Sequence, residues 1–230
     1  MVLFLSQRMS PRPPISAMSS LSRLRTALPG LCLLIVSLLA LPTSAAAQVT
    51  PRYPNLTDDL VSRIESGEVV VSVSSEGNAV SGQITALVDA PVADVWSVLT
   101  DWPGQEQWVP DMYDARIVSG SGERLVAAAA TSLPWPISDR TWQVNLHNRQ
   151  MTLEGYDCWV SSWTYIEGSG NMVDQDGFWM VTRWNDDPNR TLVYYRFRAD
   201  AGIPAPSFMT RNATRTLLPQ IMAGLRGSAT

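Results

Sequence analysis

The sequence predicts an α+β domain in which an antiparallel sheet packs against one long C-terminal helix. Three observations lead there. Six strand-like segments follow one another from residue 114 to residue 200 with no helical stretch between them, the order of a meander. Two more strand-like segments, 68–74 and 82–88, flank a Gly77-Asn78 turn and form a hairpin. Near the end, Phe208, Met209, Ala213, Leu217, Ile221, Met222 and Leu225 recur at helical spacing as an apolar stripe.

The elements follow in order. Thr57 caps a short helix whose first turn carries Asp58 and Asp59, and Gly67 ends it. After the hairpin, Asp89-Ala90-Pro91 starts a second helix, with Asp89 as the capping acid and Val92, Val95, Trp96 and Leu99 on one face. A Trp- and Pro-rich connection spans 102–110. The meander strands are 114–119, 123–131, 141–147, 159–166, 177–184 and 191–200, separated by Gly, Asn, Asp and Pro. Pro219 lies inside the C-terminal stripe and is expected to kink or break that helix.

Composition bounds the function. Of the 230 residues, 45% are hydrophobic and 17% charged, a globular balance. Every basic residue is Arg. Four of them, Arg8, Arg12, Arg23 and Arg25, precede residue 48, where no acid occurs; the remaining 13 Arg face 21 acids, a net charge of −8. A domain this acidic is a poor partner for nucleic acid.

The N-terminal region has the order of an export signal. Arg23 and Arg25 precede an apolar run over 28–41, a helix-breaking Pro42-Thr43-Ser44, and the small residues Ala45-Ala46-Ala47. The run is shorter than the roughly 20 residues that span a bilayer, which disfavours an uncleaved anchor. Cleavage is expected after Ala47, and the stretch before Met18 reads as an upstream-start extension. The expected organisation is a signal at 1–47, a linker at 48–56 containing Pro51 and Pro54, and one domain at 57–230. Such a protein acts in the periplasm or outside the cell. Cys32 leaves with the signal, so Cys158 cannot form an internal disulfide and is read as a small buried residue.

The run Pro134-Trp135-Pro136-Ile137-Ser138-Asp139-Arg140, opening a strand, resembles the START (StAR-related lipid transfer) domains of the Bet v 1-like helix-grip superfamily. Val88 to Trp96, Leu99-Thr100-Asp101-Trp102 with Trp108-Val109-Pro110, and Gly202-Ile203-Pro204 resemble other parts of that family in the same order. The resemblance covers roughly residues 65–226. It implies a curved antiparallel sheet gripping the C-terminal helix, with a cavity between them for a lipid, sterol or quinone-like molecule. Members that bind charged head groups carry buried charges on central strands; here only Arg140, Arg183 and Arg196 could supply one.

Strand alternation then selects cavity-lining candidates. Pairing Trp184 with Thr191 places Phe178 and Met180 beside Val193, Tyr195 and Phe197 on the helix-facing side. The same parity selects Trp142, Val144 and Leu146, and puts His147 on the opposite face. Trp159, Ser161, Trp163 and Tyr165 share a face that either borders the pocket or covers the outside of the sheet. Phe208, Met209 and Leu217 are the helix's candidates. Arg140 either holds a polar group near the cavity or is tied up internally. A one-residue register error would invert each strand's assignment.

Several chemistries find no support. The single His147 and the absence of a Cys cluster give no ordinary zinc site. There is no nucleophile elbow and no phosphate-binding Gly loop, and no cofactor is expected. The leading expectation is a monomeric, non-enzymatic carrier or sensor of a hydrophobic molecule that makes transient membrane contact. The alternative is a cavity-based enzyme such as a polyketide cyclase, aromatase or hydratase, whose signature would be ionisable groups inside the pocket.

Overall fold

The structure is a computed structural model. It describes residues 48–203 and 205–230, so the expected export signal and Pro204 lie outside the described residues. The elements are α1 (Asp58–Glu65), β1 (Val70–Glu76), β2 (Ala79–Val88), α2 (Val92–Thr100), a 3₁₀ turn (Pro103–Gln107), β3 (Met112–Ser121), β4 (Arg124–Thr131), β5 (Arg140–Leu153), β6 (Tyr156–Tyr165), β7 (Asp174–Trp184), β8 (Asp187–Asp200) and α3 (Ser207–Ala229). The strands form one antiparallel sheet in the order β1-β2-β8-β7-β6-β5-β4-β3, the expected meander closed by the N-terminal hairpin. The helix-grip arrangement follows, with α3 lying across β1 and β2 and touching α2.

Both faces of the sheet are covered, and each has its own core. On the α3 side, Ile84, Ala86, Val181 and Val193 pack with Leu218, Met222 and Leu225 of α3 and with Val95 and Leu99 of α2. On the outer side, Leu87, Val160, Phe178, Met180, Leu192 and Tyr194 pack under Ile64 of α1. Residues 48–56, expected as a linker, have no regular secondary structure but complete this outer core. Tyr53 is buried and stacks on Tyr156 at 4.2 Å, and the Val49 N–H donates to Asp176. Val49, Tyr53 and Leu56, around the Pro residues that suggested a linker, supply the apolar contacts.

Two hairpins are longer than the sequence pattern indicates. β5 runs on to Leu153 and turns at Glu154-Gly155, both with positive φ; β7 and β8 meet at Asn185-Asp186, again both with positive φ. These two-residue turns match the twist of the strands they join. The polar residues Asn148, Arg149 and Gln150 mask the strand character of their segment, because a sheet edge tolerates polar side chains on either face.

Local signals at the helices were mostly followed. Thr57 accepts a hydrogen bond from the Leu60 N–H at 3.3 Å. At α2, however, Pro91 occupies the cap position and Asp89 is ion-paired with Arg190 at 3.1 Å instead. α3 continues through Pro219 without a break. Pro219 and the residue four before it, Arg215, both lie on the exposed side of α3, where solvent satisfies the carbonyl that loses its partner.

Candidate functional site

A cavity of about 150 Å³ lies between α3 and the sheet, toward the end where β4, β5 and β7 meet the long loops. Each wall follows from strand alternation. β5 contributes Trp142 and Leu146, β6 Ser161 and Trp163, β7 Gln175 and Trp179, and β8 Tyr195. Leu217 and Ile221 close it from α3. The connection after α2 forms the last wall with Trp102, Gln105, Val109, Pro110 and Met112.

That wall is tied down by its polar atoms. The Trp102 indole N–H donates to the Ala128 carbonyl at 3.1 Å, the Gln105 amide donates to the Leu99 carbonyl at 2.9 Å, and Glu106 accepts from the Ala115 N–H. The small side chains Ala127 and Ala129 on β4 leave space beside Val144, where larger residues would fill the sheet face.

The lining is aromatic and carries no formal charge. Tyr195 lies at the centre of a stack, 4.0 Å from Trp179, 5.4 Å from Phe197 and 5.9 Å from Trp163 between ring centroids. Trp102 and Trp142 meet edge to face at 5.7 Å on the other side. Burial pushes the Tyr195 phenol well above its ordinary pKa, so it is a neutral hydroxyl. The Gln175 side-chain nitrogen is buried without a hydrogen-bond partner.

Of the sequence-derived candidates, the structure brings Trp142, Trp163, Tyr195 and Leu217 to the cavity wall. Val144 is buried beside Trp142, and Val193 and Phe197 lie on the helix side. Phe178 and Met180 do not: both belong to the outer core with Tyr194. The cause is register. Arg183, not Trp184, pairs with Thr191, because the Asn185-Asp186 turn pairs Trp184 with Asp187 and residues 188–190 bulge out of β8. That one-residue shift inverts β7 and brings Trp179 inward. Phe208 and Met209 are also outside the cavity, 56% and 54% exposed. The buried face of α3 is set by Thr214, Leu218, Ile221, Met222 and Leu225. At about 100° per residue, Met209 points roughly 165° and Phe208 roughly 95° away from its centre.

The Trp residue of the connection, Trp102, and the two β7 residues, Trp179 and Gln175, were missed as wall residues. The Asn185-Asp186 turn alone would not have fixed the β7 register: it pairs Trp184 with Asp187, the same parity as a Trp184–Thr191 pairing, and only the unpaired residues 188–190 of β8 invert it.

With this geometry in hand, comparison with known proteins is decisive at the family level. A family model described as "Polyketide cyclase / dehydrase and lipid transport" matches residues 88–226, more than half of the chain. The chain belongs to this family. Solved structures with the same fold include a STAR-related lipid transfer protein from Xanthomonas axonopodis, 18% identical over 70% of this chain and 93% of that one, with a TM-score of 0.60. Human StAR-related lipid transfer protein 5 is 15% identical over 81% of this chain and 88% of its own, with a TM-score of 0.56. No curated protein sequence matches the chain.

In this domain the Asp139-Arg140 pair is architectural. Asp139 accepts from the Tyr113 hydroxyl at 2.7 Å and the Leu133 N–H at 3.1 Å, and these bonds hold its carboxyl below the usual range. Arg140 donates to the Ala201 carbonyl at 2.6 Å and the Ser138 carbonyl at 2.7 Å. It therefore ties the 132–139 loop to the approach of α3. None of Arg140, Arg183 and Arg196 lines the cavity. The Asn171 side chain bonds both Asp139 and Thr141, and the Val173 N–H donates to Asp200, so three connections share one end of the sheet. That end is apolar and exposed: Trp135 is 92% exposed, with Ile137 and Val173 also open to solvent.

Two groups outside the cavity complete the titratable inventory of interest. His147 is on the outer face, as alternation predicted; burial first and the Arg149 charge second lower its pKa, and its Nδ1 lies 2.6 Å from Arg149. Cys158 is buried in the outer core, and burial pushes its thiol up to about 11. Among the described residues no His, Cys, Asp and Glu cluster could hold a metal ion, and no helix is long and apolar enough to cross a membrane.

Proposed function

We propose that the protein binds a hydrophobic molecule in the cavity between α3 and the sheet, and carries or senses it as a monomer after export from the cytoplasm. The observation that carries this reading is the wall itself: rich in aromatic rings, uncharged, and placed where the long helix α3 covers the sheet. The family description joins cyclase or dehydrase chemistry to lipid transport. The cavity favours the second. Its one ionisable side chain is Tyr195, whose raised pKa makes it a poor proton acceptor near neutrality, whereas acid–base catalysis uses groups tuned toward the working pH. Exposed Trp135, Ile137 and Val173 sit at the same end as the cavity and suit transient contact with a membrane from which ligand is loaded.

The test is to express the full chain in a bacterial host, recover it from the periplasm, and analyse its mass and its organic extract by mass spectrometry. The expected result is an N-terminus at Gln48 and a co-purifying hydrophobic compound. An unprocessed chain would refute export, and a processed chain that neither retains nor takes up any apolar compound would refute the binding reading. For the membrane contact, Trp135→Ser should lower sedimentation with phospholipid vesicles while leaving the thermal midpoint unchanged; equal sedimentation would exclude this rim as the contact.

A further inference from the structure

The outer face of the sheet carries a second depression, on the opposite side from the cavity. It measures about 400 Å³ and lies over β3 to β6, with Ser119, Arg124, Asn145, His147, Ser162 and Thr164 as its polar lining. Register builds it. Arg124 pairs with His147 and His147 with Ser162, so three neighbouring strands place these side chains in one row on one face. Arg149, two residues along β5, shares that face and borders the row. The outer core reaches Val160 of β6 and Met151 of β5 and stops short of it.

Charge sets the row apart. The domain has 13 Arg against 21 acids, yet no carboxylate lines the depression. Among the described residues neither Arg124 nor Arg149 is ion-paired, whereas Arg63, Arg116, Arg190 and Arg198 each hold an acid. Arg149 instead faces His147: its Nη1 lies 2.6 Å from His147 Nδ1 and 3.3 Å from the Ser162 hydroxyl. A guanidinium only donates, so Nδ1 accepts and the imidazole is neutral, with its hydrogen on Nε2. Burial, then the charges of Arg149 and Arg124, lower the His147 pKa, and Glu123 in the turn before β4 opposes them. A proton taken up at Nδ1 ends its acceptance from Arg149. Three cations then share one face, and an oxyanion both offsets their repulsion and receives the donors that the proton sets free.

We propose that this row is a proton-dependent site for a free tetrahedral oxyanion, sulfate or a phosphate ester, held by Arg124, protonated His147 and the released Arg149. The Ser162 and Thr164 hydroxyls complete its polar surroundings. The site is independent of the cavity and stands whether or not the cavity takes a hydrophobic molecule. A lipid head group is the other source of a phosphate. However, His147 lies seven residues along β5 from Arg140, roughly 23 Å from the end that carries the exposed apolar rim, which favours the free anion.

The experiment uses the processed chain and follows His147 by NMR, since the sequence has one His and its ring protons give one assignable signal. Sulfate is the probe because it stays a dianion across the pH range, whereas a phosphate ester titrates within it. Sulfate should move the His147 signal saturably, and sodium chloride at equal ionic strength should not. Its affinity should rise about tenfold from about pH 8 to about pH 5, and saturating sulfate should raise the His147 pKa, because proton and anion bind together. Arg124→Gln should weaken sulfate about tenfold, the loss of one charge-assisted hydrogen bond, with an unchanged thermal midpoint. Arg215→Gln, which removes an exposed charge from α3, should leave the affinity unchanged. A response no greater than that to chloride, an affinity independent of pH, or equal weakening by the two Arg variants would overturn the site. Arg124-dependent sedimentation with phosphatidylglycerol vesicles, without a sulfate response, would overturn the free-anion assignment in favour of a lipid head group.

Discussion

Gly177→Ala gives the sharpest check on how the cavity wall is built. Gly177 lies on β7 opposite Trp163 of β6 and Phe197 of β8. A Cβ there would stand 2.5 Å from Trp163 Cζ2 and 3.0 Å from Phe197 Cα, and would overlap the Arg196 carbonyl. The missing side chain is thus the space in which the Trp163 indole lies. Alanine forces the indole and one strand to move, and overpacking of this kind costs about 1–3 kcal/mol. For a domain of this size each kcal/mol lowers Tm by roughly 2–4 °C, so the expected fall is about 2–12 °C. Urea unfolding of Gly177→Ala, Trp163→Leu and the double variant separates the two contacts. The smaller leucine removes the indole clash, so the double variant should be more stable than the sum of the singles predicts by about 1 kcal/mol. Additive effects, or a Gly177→Ala loss under about 0.5 kcal/mol, would show that Trp163 does not rest on this glycine.

Other expectations follow from the two faces of the sheet. Phe178→Leu, in the outer core, should cost under about 1.5 kcal/mol and leave ligand affinity unchanged, whereas Trp179→Leu one residue on should weaken it; a titration of both against one probe distinguishes them. The Cys158 thiol, buried and raised to about 11, should resist a disulfide reagent at pH 8 until urea unfolds the chain, and rapid native labelling would contradict its placement. Asp176 is raised by burial, with the Val49 N–H opposing that shift. Because its folded pKa exceeds the unfolded one, its contribution to stability is full below about pH 4 and is lost as pH rises through the folded value. Asp176→Asn should therefore lose less unfolding free energy than the wild type between pH 4 and pH 7, and an unchanged difference would refute the assignment.

The elements were legible because their signals are local. Capping at Thr57, the 82–88 strand and the meander's turns depend on neighbours in sequence, and the structure follows them. The cavity was half legible. Trp142 and Tyr195 reach the cavity wall on the face that simple alternation indicates, while the unpaired residues 188–190 of β8 shift the pairing of β7 and turn Phe178 and Met180 to the outer core. Apolarity could not arbitrate, since β7 is buried on both faces from Asp176 to Thr182. The outer core is the reason: residues 49–56 and α1 cover a face that a single-layer reading leaves to solvent. Phe208 and Met209 show the converse limit, since an apolar residue in a helix need not lie on the face that is buried.

The second core has a consequence for how this protein can change over time. The outer layer, from Tyr53 and Ile64 to Tyr194, packs on the central strands as a cluster separate from the one on the cavity side. Substitutions among the cavity's rings can then alter what fits between α3 and the sheet while the other face keeps those strands in register. Folding and ligand choice are in this way assigned to opposite sides of the same strands, and adjacent residues such as Phe178 and Trp179 answer to different demands.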